Sequence, residues 1–179
     1  MPVAIMENVE NVKKKMPIGE VGELMVKGPI TMIGYFGDEK RTKETLENDG
    51  WLHSGDLAKM DEDGYFYIVD RKKDMILTAG YNVYPAEIER VLAKHPSVSI
   101  AAVGKEEDEL KGEIAKAYIV LREGFKTSED ELINFCRENL AAYKCPRKVL
   151  FVKDVPKTSS GKIMRRELNK LDNNTININ

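Results

Sequence analysis

The sequence lacks several features that would settle a function class at once. Its two cysteines, Cys136 and Cys145, have neither metal-ligand spacing nor the density of a disulfide scaffold. Only His53 and His95 accompany them, too few soft ligands for a zinc site, so no metal-binding residue is expected. No apolar run approaches the roughly 20 residues of a membrane span, and the amino terminus lacks the basic, apolar and small-residue order of a signal peptide. With reduced thiols and no span or signal, the expected location is the cytoplasm. An excess of one charge is also missing. The 28 Lys and Arg against 30 Asp and Glu leave a net charge of −2, so no global field recruits nucleic acid or an anionic membrane. Residues 13–15 form the one run of three lysines, which reads as a solvated loop, and the polar tail 171–179 is the only biased segment.

What is present suits a soluble globular protein. At 179 residues and 42% hydrophobic, the chain can bury a core as one domain or two small ones. The first third reads as β-structure punctuated by glycine. An alternating strand is expected at 23–27, a short helix at 39–46, and a tight Asp63-Gly64 turn entering a strand at 65–69. From Arg71 the texture changes. A short apolar strand at 75–77 meets a turn at Gly80, then a helix that Pro85 opens, with Ile88, Val91 and Leu92 on one face. Strands follow at 98–103 and 114–121. Ser128 and Glu131 form a capping box before a helix carrying Leu132, Phe135 and Leu140, and a strand at 148–152 and a short helix at 164–171 close the pattern. The expected fold class is α+β: a partial β-barrel-like subdomain over 1–70, then a small α+β sandwich over 71–179.

Few residues invite chemistry on their own. In PKTSSGKIMRREL, at 156–168, a Ser-Ser-Gly loop presents Lys162. Such a loop can deliver an ammonium to a phosphate or carboxylate oxygen, although a solvated surface lysine is the commoner outcome. It is not a Walker loop, because Ile163 follows the lysine and the first glycine is absent. Asp56, after Ser54-Gly55, has the chemistry to accept hydrogen bonds from two vicinal hydroxyls, as a carboxylate holding a ribose does, while the same triplet is also turn chemistry. Arg71 to Lys73 equally suit a charged strand end, and Gly80 a turn of positive φ.

Order along the chain adds what single motifs do not. GELMVKGP with GYF, then GWLHSGD, DRKKDMILTAGYNVYPAEIE, LAAYKCP and PKTSSGKIMRREL span residues 19–168. The series closely resembles the carboxy-terminal part of the adenylate-forming enzymes: acyl-CoA synthetases, firefly luciferase and the adenylation domains of peptide synthetases. GYNVYPAEIE with DRKKDMI is most similar to the fatty-acyl-CoA synthetases.

The resemblance implies an ATP-dependent, AMP-forming ligase that joins a long- or medium-chain fatty acid to AMP and passes the acyl group to CoA. Residues 1–70 would be the last β-subdomain of a large amino-terminal portion, and 71–179 a lid swinging between two poses. Asp56 and Arg71 match the nucleotide-binding pair at the ribose, and Lys73 the hinge. Thr78, Ala79, Gly80 and Tyr81 match the loop lining the pantetheine channel of CoA. Lys162 matches the lysine of the adenylating step, with Ile163, Met164 and Leu168 anchoring its loop and Arg165 and Arg166 expected on the surface. Leu77 stands where luciferase-like relatives carry a second lysine, and Cys145 reads as packing. ATP with Mg2+ would be held mainly by a phosphate loop that these residues do not contain. The implied chain is thus a carboxy-terminal fragment, inactive alone, whose partners are the missing amino-terminal domain, a carboxylic acid, ATP and CoA. Rival readings are a non-catalytic CoA-binding or regulatory module, an aryl-acid ligase, and a carrier-protein-loading adenylation domain.

Overall fold

The structure is a computed structural model that describes residues 3–6 and 14–173; Lys13 of the basic run and residues 174–179 of the polar tail lie outside the described residues. The chain divides into two compact units, Met1–Lys73 and Asp74–Asn179.

The first unit is an open antiparallel sheet of four strands in sequence order: β1 (Val3–Met6), β2 (Gly22–Lys27), β3 (Trp51–Met60) and β4 (Phe66–Arg71). Its small core joins Ala4, Met6 and Met25, with Trp51 against them. At Gly22 a Cβ would stand 2.4 Å from the Met6 carbonyl oxygen, so only glycine lets β1 and β2 lie this close. Helix α1 (Glu39–Thr45) starts where the Asp38 carboxylate accepts the Arg41 N–H at 2.9 Å.

The second unit is a sheet with two α-helices on one face and a 310 helix on the other. Strands β7 (Val98–Asp108) and β8 (Gly112–Leu121) form a long antiparallel hairpin. The other edge of β8 takes β9 (Lys148–Phe151) in parallel and, at Gly112, β5 (Ile76–Thr78), which β6 (Tyr81–Val83) extends. Alternation along the hairpin gives it two apolar faces. Ala101, Val103, Ala117 and Ile119 join Ile88, Val91 and Leu92 of α2 (Pro85–Leu92) and Leu132 and Cys136 of α3 (Glu129–Asn139). Ala102 and Tyr118, on the opposite face, pack with Val152, Val155 and Leu168. Pro85 stands in the first turn of α2, and the Ser128 hydroxyl caps α3 by accepting the Glu131 N–H at 3.1 Å.

The helix expected at 164–171 is a 310 helix, Arg165–Leu171. Three residues per turn explain the difference: Arg165, Leu168 and Leu171 recur every third position and share one side. Leu168 is fully buried there and Leu171 packs beside it. Among the described residues no helix is long and apolar enough to cross a membrane.

Candidate active site

The end of the β3–β4 ladder carries the first pair of candidate residues. A register shift between Leu57 and Ala58 re-aims the strand, and beyond it Asp56 lies opposite Arg71. Gly55 turns there at φ +73°, and the Ser54 hydroxyl accepts the Asp56 N–H at 3.0 Å, so the triplet is turn chemistry and carboxylate presentation together. Arg71 Nε forms an ion pair with Asp56 Oδ1 at 2.8 Å, with the two side chains 57% and 29% exposed. Among the described residues nothing hydrogen-bonds to Asp56 Oδ2. The pair therefore offers a free acceptor and free guanidinium N–H groups side by side, a set that suits a hydroxylated, anionic ligand.

Past Arg71 the chain makes a 310 turn, Lys72–Asp74, across the boundary between the units. Lys72 Nζ donates to Glu23 Oε2 at 2.8 Å, and His53 Nδ1 stands 2.9 Å from the same oxygen while its Nε2 faces Glu47 Oε1 at 3.0 Å. Burial pushes the Glu23 carboxyl up, but its bonds to Lys72 and His53 outweigh burial and hold it below the ordinary 4.5. A depressed carboxyl stabilises the fold above that value and ceases to as pH falls through its own, lower one. Glu23→Gln is therefore expected to cost stability at neutral pH, with the gap to wild type closing as pH falls below the ordinary 4.5, as urea midpoints measured across pH will show. Lys73, by contrast, is exposed and makes no ion pair among the described residues.

Residues 78–81 join β5 to β6 as a two-residue hairpin turn with Thr78 opposite Tyr81. Ala79 and Gly80 have φ of 49° and 84°, the left-handed pair whose twist matches the flanking strands. Alanine is strained there, so Ala79→Gly should raise stability by about 0.5–1 kcal/mol in denaturant unfolding. Among the described residues, its chain neighbours aside, nothing stands within 4 Å of where a Cβ of Gly80 would lie, so that side of the turn is open. The turn is tied down from β8: the Thr78 hydroxyl donates to the Glu113 carbonyl at 2.8 Å, the Leu77 N–H to Glu113 Oε2 at 2.8 Å, and the Ala79 N–H to the Lys111 carbonyl at 2.8 Å. Tyr81 stacks on Tyr143 with ring centroids 4.6 Å apart.

Lys162 sits on a loop whose backbone is pinned. Lys157 and Ile163 bridge its base, the Thr158 N–H donates to the Lys162 carbonyl at 2.8 Å, and the Lys162 N–H donates to Thr158 Oγ1 at 3.1 Å. The freedom of the loop thus belongs to the lysine side chain, which is exposed and has no partner among the described residues. Ile163 and Leu168 pack into the sheet face behind it. Of the two arginines expected on the surface, Arg166 is there, 77% exposed. Arg165 is not. It is 20% exposed and holds Glu89 with two bonds, at 3.1 and 2.7 Å, and Asp74 with one at 3.3 Å. The 310 phase explains the correction, since it turns Arg165 to the same side as buried Leu168.

Both cysteines are packing residues. Burial pushes the Cys136 thiol up to about 12 and also raises Cys145, whose Sγ lies 3.6 Å from the Ala141 carbonyl.

Asp56 and Arg71 are thus in contact and 78–81 form one turn, while among the described residues no hydrogen bond or ion pair joins Lys162 to that turn. Glu113, Glu23 and Tyr143 carry no signal in the sequence, and Arg165 is expected there on the surface rather than in an ion pair. Each acts through a partner distant in sequence, which leaves no local signal.

Residues 87–162 match the AMP-binding enzyme C-terminal domain. Over 163 residues the chain is 44% identical to a 2-succinylbenzoate–CoA ligase of Bacillus cytotoxicus, covering 91% of this chain and 33% of that protein. It is 45% identical over 151 residues to a Rhodococcus jostii CoA ligase for a methyl-dioxo-octahydroindenyl propanoyl group, covering 84% of this chain and 29% of the relative. Among solved structures, ATP-bound MatB from Rhodopseudomonas palustris superimposes with a TM-score of 0.87 at 34% identity, over 94% of this chain and 33% of that one. The o-succinylbenzoate CoA synthetase of Bacillus subtilis in complex with AMP gives 0.81 at 38% identity, over 93% and 33%. The chain spans about a third of the length of these relatives.

Proposed function

Because the chain belongs to the adenylate-forming superfamily, we propose that it works as the carboxy-terminal part of an AMP-forming acid–CoA ligase, with 1–70 the last β-subdomain of the larger body and 71–179 a mobile lid. The reaction has two halves. A carboxylate attacks the α-phosphate of ATP, giving acyl-AMP and pyrophosphate; the CoA thiol then takes the acyl group and releases AMP. Asp56 accepts hydrogen bonds from the ribose hydroxyls and Arg71 donates beside it. Lys162 reaches between carboxylate and phosphate oxygens while negative charge builds on them. In the second half the open backbone of 78–81 borders the pantetheine arm, with no lysine at Leu77 to assist. ATP is expected to arrive with Mg2+. Among the described residues no group of three His, Cys, Asp or Glu could hold a metal, so no residue of this chain is assigned to it.

The observation that most supports this reading is the exposed ammonium of Lys162, without a partner among the described residues, on a pinned loop. As to the acid, the relatives are named for 2-succinylbenzoate and for a fused-ring propanoyl group, which favours a ring-bearing acid over the fatty acid expected from the sequence. The test offers the full-length ligase ATP, CoA and either 2-succinylbenzoate, 4-coumarate or hexadecanoate, with thioester read by mass spectrometry. Thioester with a ring-bearing acid, and none from the 179-residue chain alone, is expected. Failure with every acid, or robust turnover by the isolated chain, would contradict the reading.

A further inference from the structure

The hinge residue and the Lys162 loop lie far apart in sequence, and one guanidinium joins their neighbours. Asp74 follows Lys73 directly and is the first residue of the second unit. Arg165 opens the 310 helix three positions after Lys162. Arg165 Nη1 donates to Asp74 Oδ2 at 3.3 Å, and its Nε and Nη2 grip Glu89 at 3.1 and 2.7 Å. Glu89 is itself fixed, because its Oε1 also accepts the Val103 N–H of β7 at 2.9 Å. On the other side of the hinge, Lys72 is held within the first unit by Glu23 at 2.8 Å. Lys73 between them has no such bond among the described residues.

We propose that the Asp74–Arg165–Glu89 clamp makes Arg165 and Asp74 positioning residues of the adenylating step: they fix the Lys162 loop to the residue next to the hinge, so that rotation at Lys73 carries the loop as one body. This rests on the reading of Lys162 as the adenylating lysine. All three members of the clamp lie in the second unit, so it travels with the lid rather than breaking when the lid turns. The charge and fork geometry of arginine are both needed, since a lysine presents one point charge and cannot grip Glu89 twice while reaching Asp74. A displacement of about 1 Å at a reacting group is enough to lower a rate strongly.

The test compares both half-reactions in the full-length ligase: pyrophosphate release from ATP and acid, and thioester formation from supplied acyl-adenylate. For Arg165→Lys, adenylation kcat should fall about tenfold with KM for ATP within about twofold, while thioester formation changes less than about twofold. Asp74→Asn, which leaves the Glu89 grip intact, should lower adenylation alone by about threefold, and the double variant should be no slower than Arg165→Lys. If Arg165→Lys unfolds the lid, Asp74→Asn carries the same test. Equal loss in both halves, a silent Asp74→Asn, or strictly multiplicative effects in the double variant would overturn the clamp. Lys162→Ala is the reference. Unchanged adenylation in that variant would overturn the assignment of Lys162 and the clamp with it, whereas its collapse beside a silent Arg165→Lys would overturn the clamp alone.

Discussion

Replacing Lys162 by alanine in the full-length ligase should lower acyl-adenylate formation by about two to three orders of magnitude, the range found when one preorganised charge-stabilising donor is removed. The size follows from the chemistry. Carboxylate and α-phosphate are both anionic, and bonding between them concentrates charge on oxygens that a nearby ammonium can face. At about 4 Å and an effective dielectric near 20, a single such contact amounts to about 4 kcal/mol. Nothing around Lys162 competes for it: the pinned loop gives its ammonium no partner among the described residues. Because the second half-reaction forms a thioester without that charge pattern, its rate from supplied acyl-adenylate should stay within about twofold of wild type. Stopped-flow measurement of pyrophosphate and thioester separately will show whether the loss is confined to the first half.

Leu168→Ala should destabilise the second unit by about 2–4 kcal/mol. Leu168 is fully buried against Ala102, Tyr118, Val152 and Val155, and a Cβ on Gly104 would lie 3.4 Å from its Cδ1. The neighbours can close around a lost side chain only in part, because Tyr118 is held in place. Its hydroxyl donates to Asp172 Oδ1 at 2.8 Å, and Lys116 Nζ donates to Asp172 Oδ2 at 2.8 Å. These bonds fasten the residue after the 310 helix, as Arg165 fastens its start. Urea unfolding of the 179-residue chain should show a lower midpoint at unchanged slope. A loss below about 1 kcal/mol would mean that the helix is held by its polar ends and not by this side chain.

Most elements of the second unit were legible because their signals are local. Pro85 in a first turn, the Ser128 cap, and Ile88, Val91 and Leu92 at helical spacing are decided by residues within one turn of each other. The strand β1 was not foreseen: four apolar residues become a strand only through pairing with β2, some twenty residues on. Arg165 and Arg166 are chemically identical neighbours, and only the 310 phase sends one inward and leaves the other outside. The contact of Asp56 with Arg71 likewise depends on a register shift that no spacing rule announces. The acid was the least legible feature, since no residue of this stretch was read as touching it; the preference for ring-bearing acids comes from whole relatives.

The central claim is that this chain completes an enzyme that cleaves ATP at the α-phosphate, and the identity of the cleaved nucleotide tests it most directly. With the full-length ligase, a ring-bearing acid and CoA, phosphorus NMR should show AMP and pyrophosphate appearing together, only when the acid is present, and in equal amount to the thioester. Accumulation of ADP and inorganic phosphate, or ATP cleavage indifferent to the acid, would contradict it.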